Sequence, residues 1–140
     1  MSALTRADYP LAETRASDVK GKRGLTLADI TLDRVLAGKV EMEDLRITPE
    51  ALMAQAEIAR AAGRPTLALN FERAAELVDV PQDVVMQVYE LLRPGRARSK
   101  EQLIDAARLM RDTYKAGRIA AFIEEAAATY DERGLFTFRF

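Results

Sequence analysis

Apolar residues recur at helical spacing over most of the chain. Leu52, Ala56 and Ala59 fall on one face of a helix that Thr48 can cap and Pro49 can open, because the first helical position needs no amide hydrogen. Gly63 marks its end, and Pro65 opens a second helix with Leu67, Phe71, Ala74 and Val78 three or four apart. Pro81 separates this from a third stripe of Val84, Val85, Val88, Tyr89 and Leu92, which Arg93-Pro94-Gly95 breaks. Ser99 and Gln102 match a capping box, in which each side chain reaches the other's backbone amide, and Leu103, Ala106, Ala107, Met110 and Tyr114 follow. Gly117 is expected to interrupt the chain before a last helix carrying Ile119, Phe122, Ile123, Ala126 and Tyr130, ending near Gly134. A shorter helix comes earlier, capped by Thr31, with Leu32, Val35 and Leu36 as its apolar side and Gly38 as its stop.

The first thirty residues show little periodicity, and both Tyr9-Pro10-Leu11 and Gly21-Lys22-Arg23-Gly24 disfavour regular structure. Two readings stand side by side: a frayed terminus, or an extended arm anchored by Tyr9, Pro10 and Leu11 that orders on a partner. The pattern as a whole predicts an all-α fold of five to six helices in one domain spanning 1–140. Within it, 1–30 form an extended arm, 31–134 a helical body and 135–140 a tail.

Composition sharpens this picture. The apolar stripes are rich in alanine and aromatics are 6% of the chain, so each helix buries modest area at about 25 cal/mol per Å². The tail adds Phe136, Phe138 and Phe140 on alternating positions, fitting either a partner surface or the chain's own core. Lysine plus arginine number 21 against 22 acidic residues, so no general basic field for nucleic acid exists. No apolar run approaches the ~18 residues of a membrane span. Histidine and cysteine are both absent, which removes the usual general base, the imidazole and thiolate metal ligands, and the disulfide.

Few residues invite chemistry. Arg93, Arg96, Arg98 and Lys100 surround a turn, where a solvated loop is expected over a phosphate site, since no aromatic platform accompanies them. Glu124 and Glu125 are adjacent on a helix and point apart, as surface charge does. Glu72 and Glu76 lie one turn apart without further ligands, so exposed salt links or a charged subunit contact fit better than a cation. Composition and spacing lead to a helical protein that binds another protein.

A set of ordered segments carries the reading further: Asp8-Tyr9-Pro10-Leu11-Ala12, the run from Leu27 through Gly38, Asp44-Leu45-Arg46-Ile47-Thr48-Pro49, Asn70-Phe71-Glu72-Arg73-Ala74-Ala75-Glu76-Leu77, Val80-Pro81, Leu92-Arg93-Pro94 and Ala120-Ala121-Phe122. In order and spacing the chain resembles the small (gamma) subunits of adenosylcobalamin-dependent diol and glycerol dehydratases. The resemblance implies a non-catalytic subunit of a carbon–oxygen lyase that converts 1,2-diols or glycerol to aldehydes by radical hydroxyl migration and loss of water. Its partners would be a large TIM-barrel subunit and a medium subunit in a dimer of heterotrimers, with adenosylcobalamin held by those two and not by this chain. No catalytic, cofactor or metal ligand is therefore assigned here. Tyr9, Pro10, Leu11, Arg46, Phe71, Arg73 and Arg93 are the candidate subunit-interface residues. The location implied is the cytoplasm or the interior of a bacterial microcompartment. Eight residues precede Tyr9, without the long extension of many diol dehydratase small subunits, which leans toward a glycerol-type relative. The competing expectation is a free-standing helical interaction or regulatory module.

Overall fold

The computed structural model describes residues 3–137. Eight α-helices form among them: α1 (Leu11–Thr14), α2 (Leu32–Leu36), α3 (Met42–Leu45), α4 (Pro49–Ala61), α5 (Pro65–Leu77), α6 (Gln82–Leu92), α7 (Lys100–Asp112) and α8 (Gly117–Glu132). The first three are single turns, so the five to six helices expected correspond to α2 and the five long ones. No strand forms among the described residues beyond one antiparallel bridge between Lys20 and Thr26, and the fold is all-α. The chain divides into two compact units, Met1–Val78 and Asp79–Phe140.

In the first unit, α4 and α5 make a helical hairpin. The Thr48 hydroxyl accepts from the Ala51 amide at 3.2 Å, and Pro49 and Pro65 occupy first-turn positions. Between them Gly63 takes φ +73, where an L side chain would be strained. Its amide donates to Arg60 and that of Arg64 to Ala59, so the last carbonyls of α4 are satisfied. The joint interior is made of Ala56, Ala59 and Ala68, with Leu67 and Phe71 packed against it. The fully covered line of α5 runs through Ala68 and Glu72, one register from the expected Leu67–Phe71 stripe. Glu72 is thus no surface charge. It receives Arg60 of α4 at 2.6 Å, a pair that ties the hairpin near its loop.

The second unit is built on α7 and α8. Leu103, Ala106, Ala107 and Met110 follow helical spacing on one, and Ile119, Ala120, Ile123 and Ala127 line the other; all are buried. Lys100 reaches Asp131 at 3.0 Å, and Arg111 grips Glu124 through two bonds of 2.7 and 2.8 Å, one pair toward each end of the hairpin. The Tyr130 hydroxyl donates to the Leu92 carbonyl, joining α8 to the free carbonyl end of α6.

Two local expectations change here. The break before α8 comes at residues 113–116, where Lys115 adopts φ +57, while Gly117 is the first residue of α8. Lys115 also donates through Nζ to the Asp112 carbonyl at 2.7 Å, offsetting part of that strain. At the start of α7, Ser99 accepts from Gln102 as expected, but the Gln102 side chain reaches back to the Arg98 amide rather than to Ser99. Phe136 packs edge-on against Tyr130, with ring centroids 6.3 Å apart, which places this aromatic with its own unit. Phe138 and Phe140 lie outside the described residues.

Candidate subunit interface

Residues 3–48 have no helix longer than five residues and little apolar interior. Three aspartates organise them instead. Asp8 accepts from the amide and hydroxyl of Thr5, both at 2.8 Å, and pairs with Arg15 at 3.0 Å. Asp29 repeats the arrangement with the Thr26 amide, the Thr26 hydroxyl and Arg34, each at 2.9 Å. Asp44 accepts from the Glu41 amide at 2.8 Å and from Arg23 at 2.9 Å. In each case a side chain at the third helical position returns to the capping residue's amide, and an arginine closes the turn from outside. Hydrogen bonds from the Thr5 amide and hydroxyl, with the Arg15 charge, hold the Asp8 carboxyl below the usual carboxylate range. The Thr26 amide and hydroxyl, with Arg34, do the same for Asp29.

The Asp44 clasp also fixes the Gly21-Lys22-Arg23-Gly24 loop, whose sequence disfavours regular structure. Asp44 is buried, and Gly21 lies so close that a Cβ there would meet the Asp44 carbonyl oxygen at 2.9 Å. Only glycine fits without the backbone moving.

Because polar clasps hold this stretch, its apolar side chains are left outside. Leu27, Leu32, Val35, Leu36, Met42, Leu45 and Ile47 are 48–77% exposed. Leu32, Val35 and Leu36 do share one side of α2, as the spacing predicts, but that side faces water. Seven large apolar side chains within 21 residues far exceed the scattered exposure of an ordinary surface. Spacing cannot tell an apolar face turned inward from one turned outward. The usable signal is length, since a five-residue helix is not stable on its own contacts.

The seven interface candidates fall in different surroundings. Tyr9 is exposed, Pro10 half-buried and Leu11 buried within this chain. Arg46 is exposed and meets Glu43 at 3.5 Å. Phe71 is half-buried on the alanine interior of α4 and α5, and Arg73 contacts Asn70 at 3.5 Å. Arg93 belongs to the second unit and pairs with Glu90 at 3.1 Å. Tyr9 and Phe71 come together in a groove of about 440 Å³, where Arg6, Gln55 and Arg64 also contribute. Ile58, Ala59, Ala62 and Leu67 give it an apolar floor. Among the described residues no three carboxylates gather as a metal site would require, and no helix is long and apolar enough to cross a membrane.

Comparison with known proteins gives the family. The chain is 51% identical over 126 residues to the propanediol dehydratase small subunit of Citrobacter freundii, covering 90% of this chain and 73% of that one. It is 50% identical over 127 residues to the propanediol dehydratase small subunit of Salmonella typhimurium strain LT2, covering 91% and 73%. A profile of the Dehydratase small subunit family matches residues 4–137, nearly the full length, and the chain therefore belongs to that family.

Proposed function

We propose that this chain is the non-catalytic small subunit of an adenosylcobalamin-dependent propanediol dehydratase. It would stabilise a complex with a large TIM-barrel subunit and a medium subunit, assembled as a dimer of heterotrimers. The single domain 1–140 and the interface roles of Tyr9, Pro10, Leu11, Arg46, Phe71, Arg73 and Arg93 belong to the same proposal. The observation that carries it is the exposed apolar strip from Leu27 to Ile47, the kind of patch that marks a partner surface. The relatives' names favour propanediol over glycerol as substrate.

With neither histidine nor cysteine the chain offers no imidazole or thiolate to cobalt, which supports assigning adenosylcobalamin to the partner subunits. What this chain contributes is binding: a preformed apolar surface and a set of rim charges. Its place is the cytoplasm or a microcompartment, wherever those partners are.

The test is co-expression of the large and medium subunits with and without this chain, reading native mass and adenosylcobalamin-dependent aldehyde formation from propane-1,2-diol and from glycerol. A three-subunit complex whose activity or soluble yield depends on the chain is the expected result. Full activity and stability of the other two, with this chain eluting alone, would instead favour a free-standing interaction module.

A further inference from the structure

The groove shared by Tyr9 and Phe71 is lined by two cations that have no ion-pair partner among the described residues. Every other arginine of the first unit is engaged: Arg15 with Asp8, Arg23 with Asp44, Arg34 with Asp29, Arg46 with Glu43, Arg60 with Glu72, and Arg73 with Asn70. Arg6 and Arg64 form no ion pair among the described residues, and both line this one groove. Beneath them the floor is apolar and incompletely covered, since Leu67 and Phe71 are only half-buried on their alanine support.

We infer that this groove docks an acidic, apolar segment of the large dehydratase subunit, with an aliphatic or aromatic side chain seated on Leu67 and Phe71 and a neighbouring carboxylate facing Arg6 and Arg64. The inference rests on the subunit reading above. A volume of about 440 Å³ accommodates a bulky side chain with its neighbour. Charge complementarity selects the occupant: an apolar side chain alone, or a neutral diol, leaves two guanidinium groups unanswered, and arginine forks are matched best by carboxylates. The site is also preformed. Its arm side is held to α4 by the Leu4 amide donating to Glu57 at 2.8 Å, and to itself by the Asp8 clasp. Such a wall needs no rearrangement to receive a partner.

The test places p-benzoylphenylalanine at position 9, where Tyr9 is already aromatic and exposed, in the co-expressed three-subunit complex. After irradiation, a cross-link to a segment of the large subunit with adjoining acidic and apolar residues is expected. A cross-link to the medium subunit, to a second copy of this chain or to a small carboxylate, or none at all in an assembled complex, overturns the inference. Independently, the paired substitutions Arg6→Glu and Arg64→Glu should raise the apparent Kd of the small subunit about tenfold or more, with a strong salt dependence. Arg6→Lys with Arg64→Lys should raise it less than charge reversal does, since the charges remain but the forked donors are lost. Unchanged affinity after charge reversal would reject the groove while leaving the subunit reading intact. Failure of the unaltered chain to join any complex would remove both.

Discussion

The α7–α8 hairpin and the stretch from Leu27 to Ile47 use the same residue types in opposite ways. In the hairpin, Leu103, Met110 and Ile123 are completely buried, and the charged pairs Lys100–Asp131 and Arg111–Glu124 stand outside. In the stretch, Asp44 is buried within a polar clasp, and Leu32, Leu36 and Met42 stand in water. Apolar burial holds the first region together. Local hydrogen bonds hold the second and leave its apolar area for another molecule. Fold stability and, on the function proposed above, partner recognition are then carried by different residues and can be broken separately.

The sharpest break is Leu103→Ala. It removes a fully buried side chain and leaves a cavity in the hairpin, so unfolding free energy should fall by about 2–5 kcal/mol in urea titration. Asp44→Ala should cost about 1–3 kcal/mol, because the Glu41 amide and Arg23 lose their acceptor. Hydrogen exchange should show that loss concentrated at residues 20–46, with α7 and α8 protected as before. Leu36→Asp is the inverse of Leu103→Ala. At 77% exposure it should change stability by less than about 0.5 kcal/mol. Yet it should weaken assembly with the dehydratase partners about tenfold, read as apparent Kd. If Leu36→Asp assembles normally, the strip is not an interface.

The smallest effect concerns pH. Asp8 and Asp29 have folded carboxyls held below their ordinary value by threonine hydrogen bonds and an arginine. Folded, they bind fewer protons than the unfolded chain does. Their contribution is therefore present above the usual aspartate value of about 4 and is lost as pH falls through the lower folded value. Hydrogen-exchange protection at residues 5–15 and 26–34 should decline below about pH 4. Asp29→Asn should flatten that decline at 26–34 only.

Much of the helical body was legible because its signals are local. Thr48 before Pro49, Gly63 before Pro65 and the Leu103–Met110 spacing each fix an element through contacts within a turn or two. What escaped depends on neighbours far along the chain. Glu72 was expected at the surface, since no rule of spacing reveals that Arg60 waits across the hairpin. Lys115 carries the left-handed turn two residues before Gly117, a residue type that adopts that conformation more easily. At the candidate interface, family resemblance pointed to Tyr9 and Phe71, and folding brings both to one groove. Nothing in the sequence distinguishes Arg6 and Arg64 from the other arginines, because their isolation shows only once the pairs around them have formed.

The exposed strip has a bearing on how much of this protein a cell can hold. Each copy made in excess of its partners carries seven large apolar side chains in water, an association hazard that rises with concentration. Balanced synthesis of the subunits would limit that hazard. Removing excess small subunit, by assembly or by degradation, becomes part of keeping the dehydratase in solution.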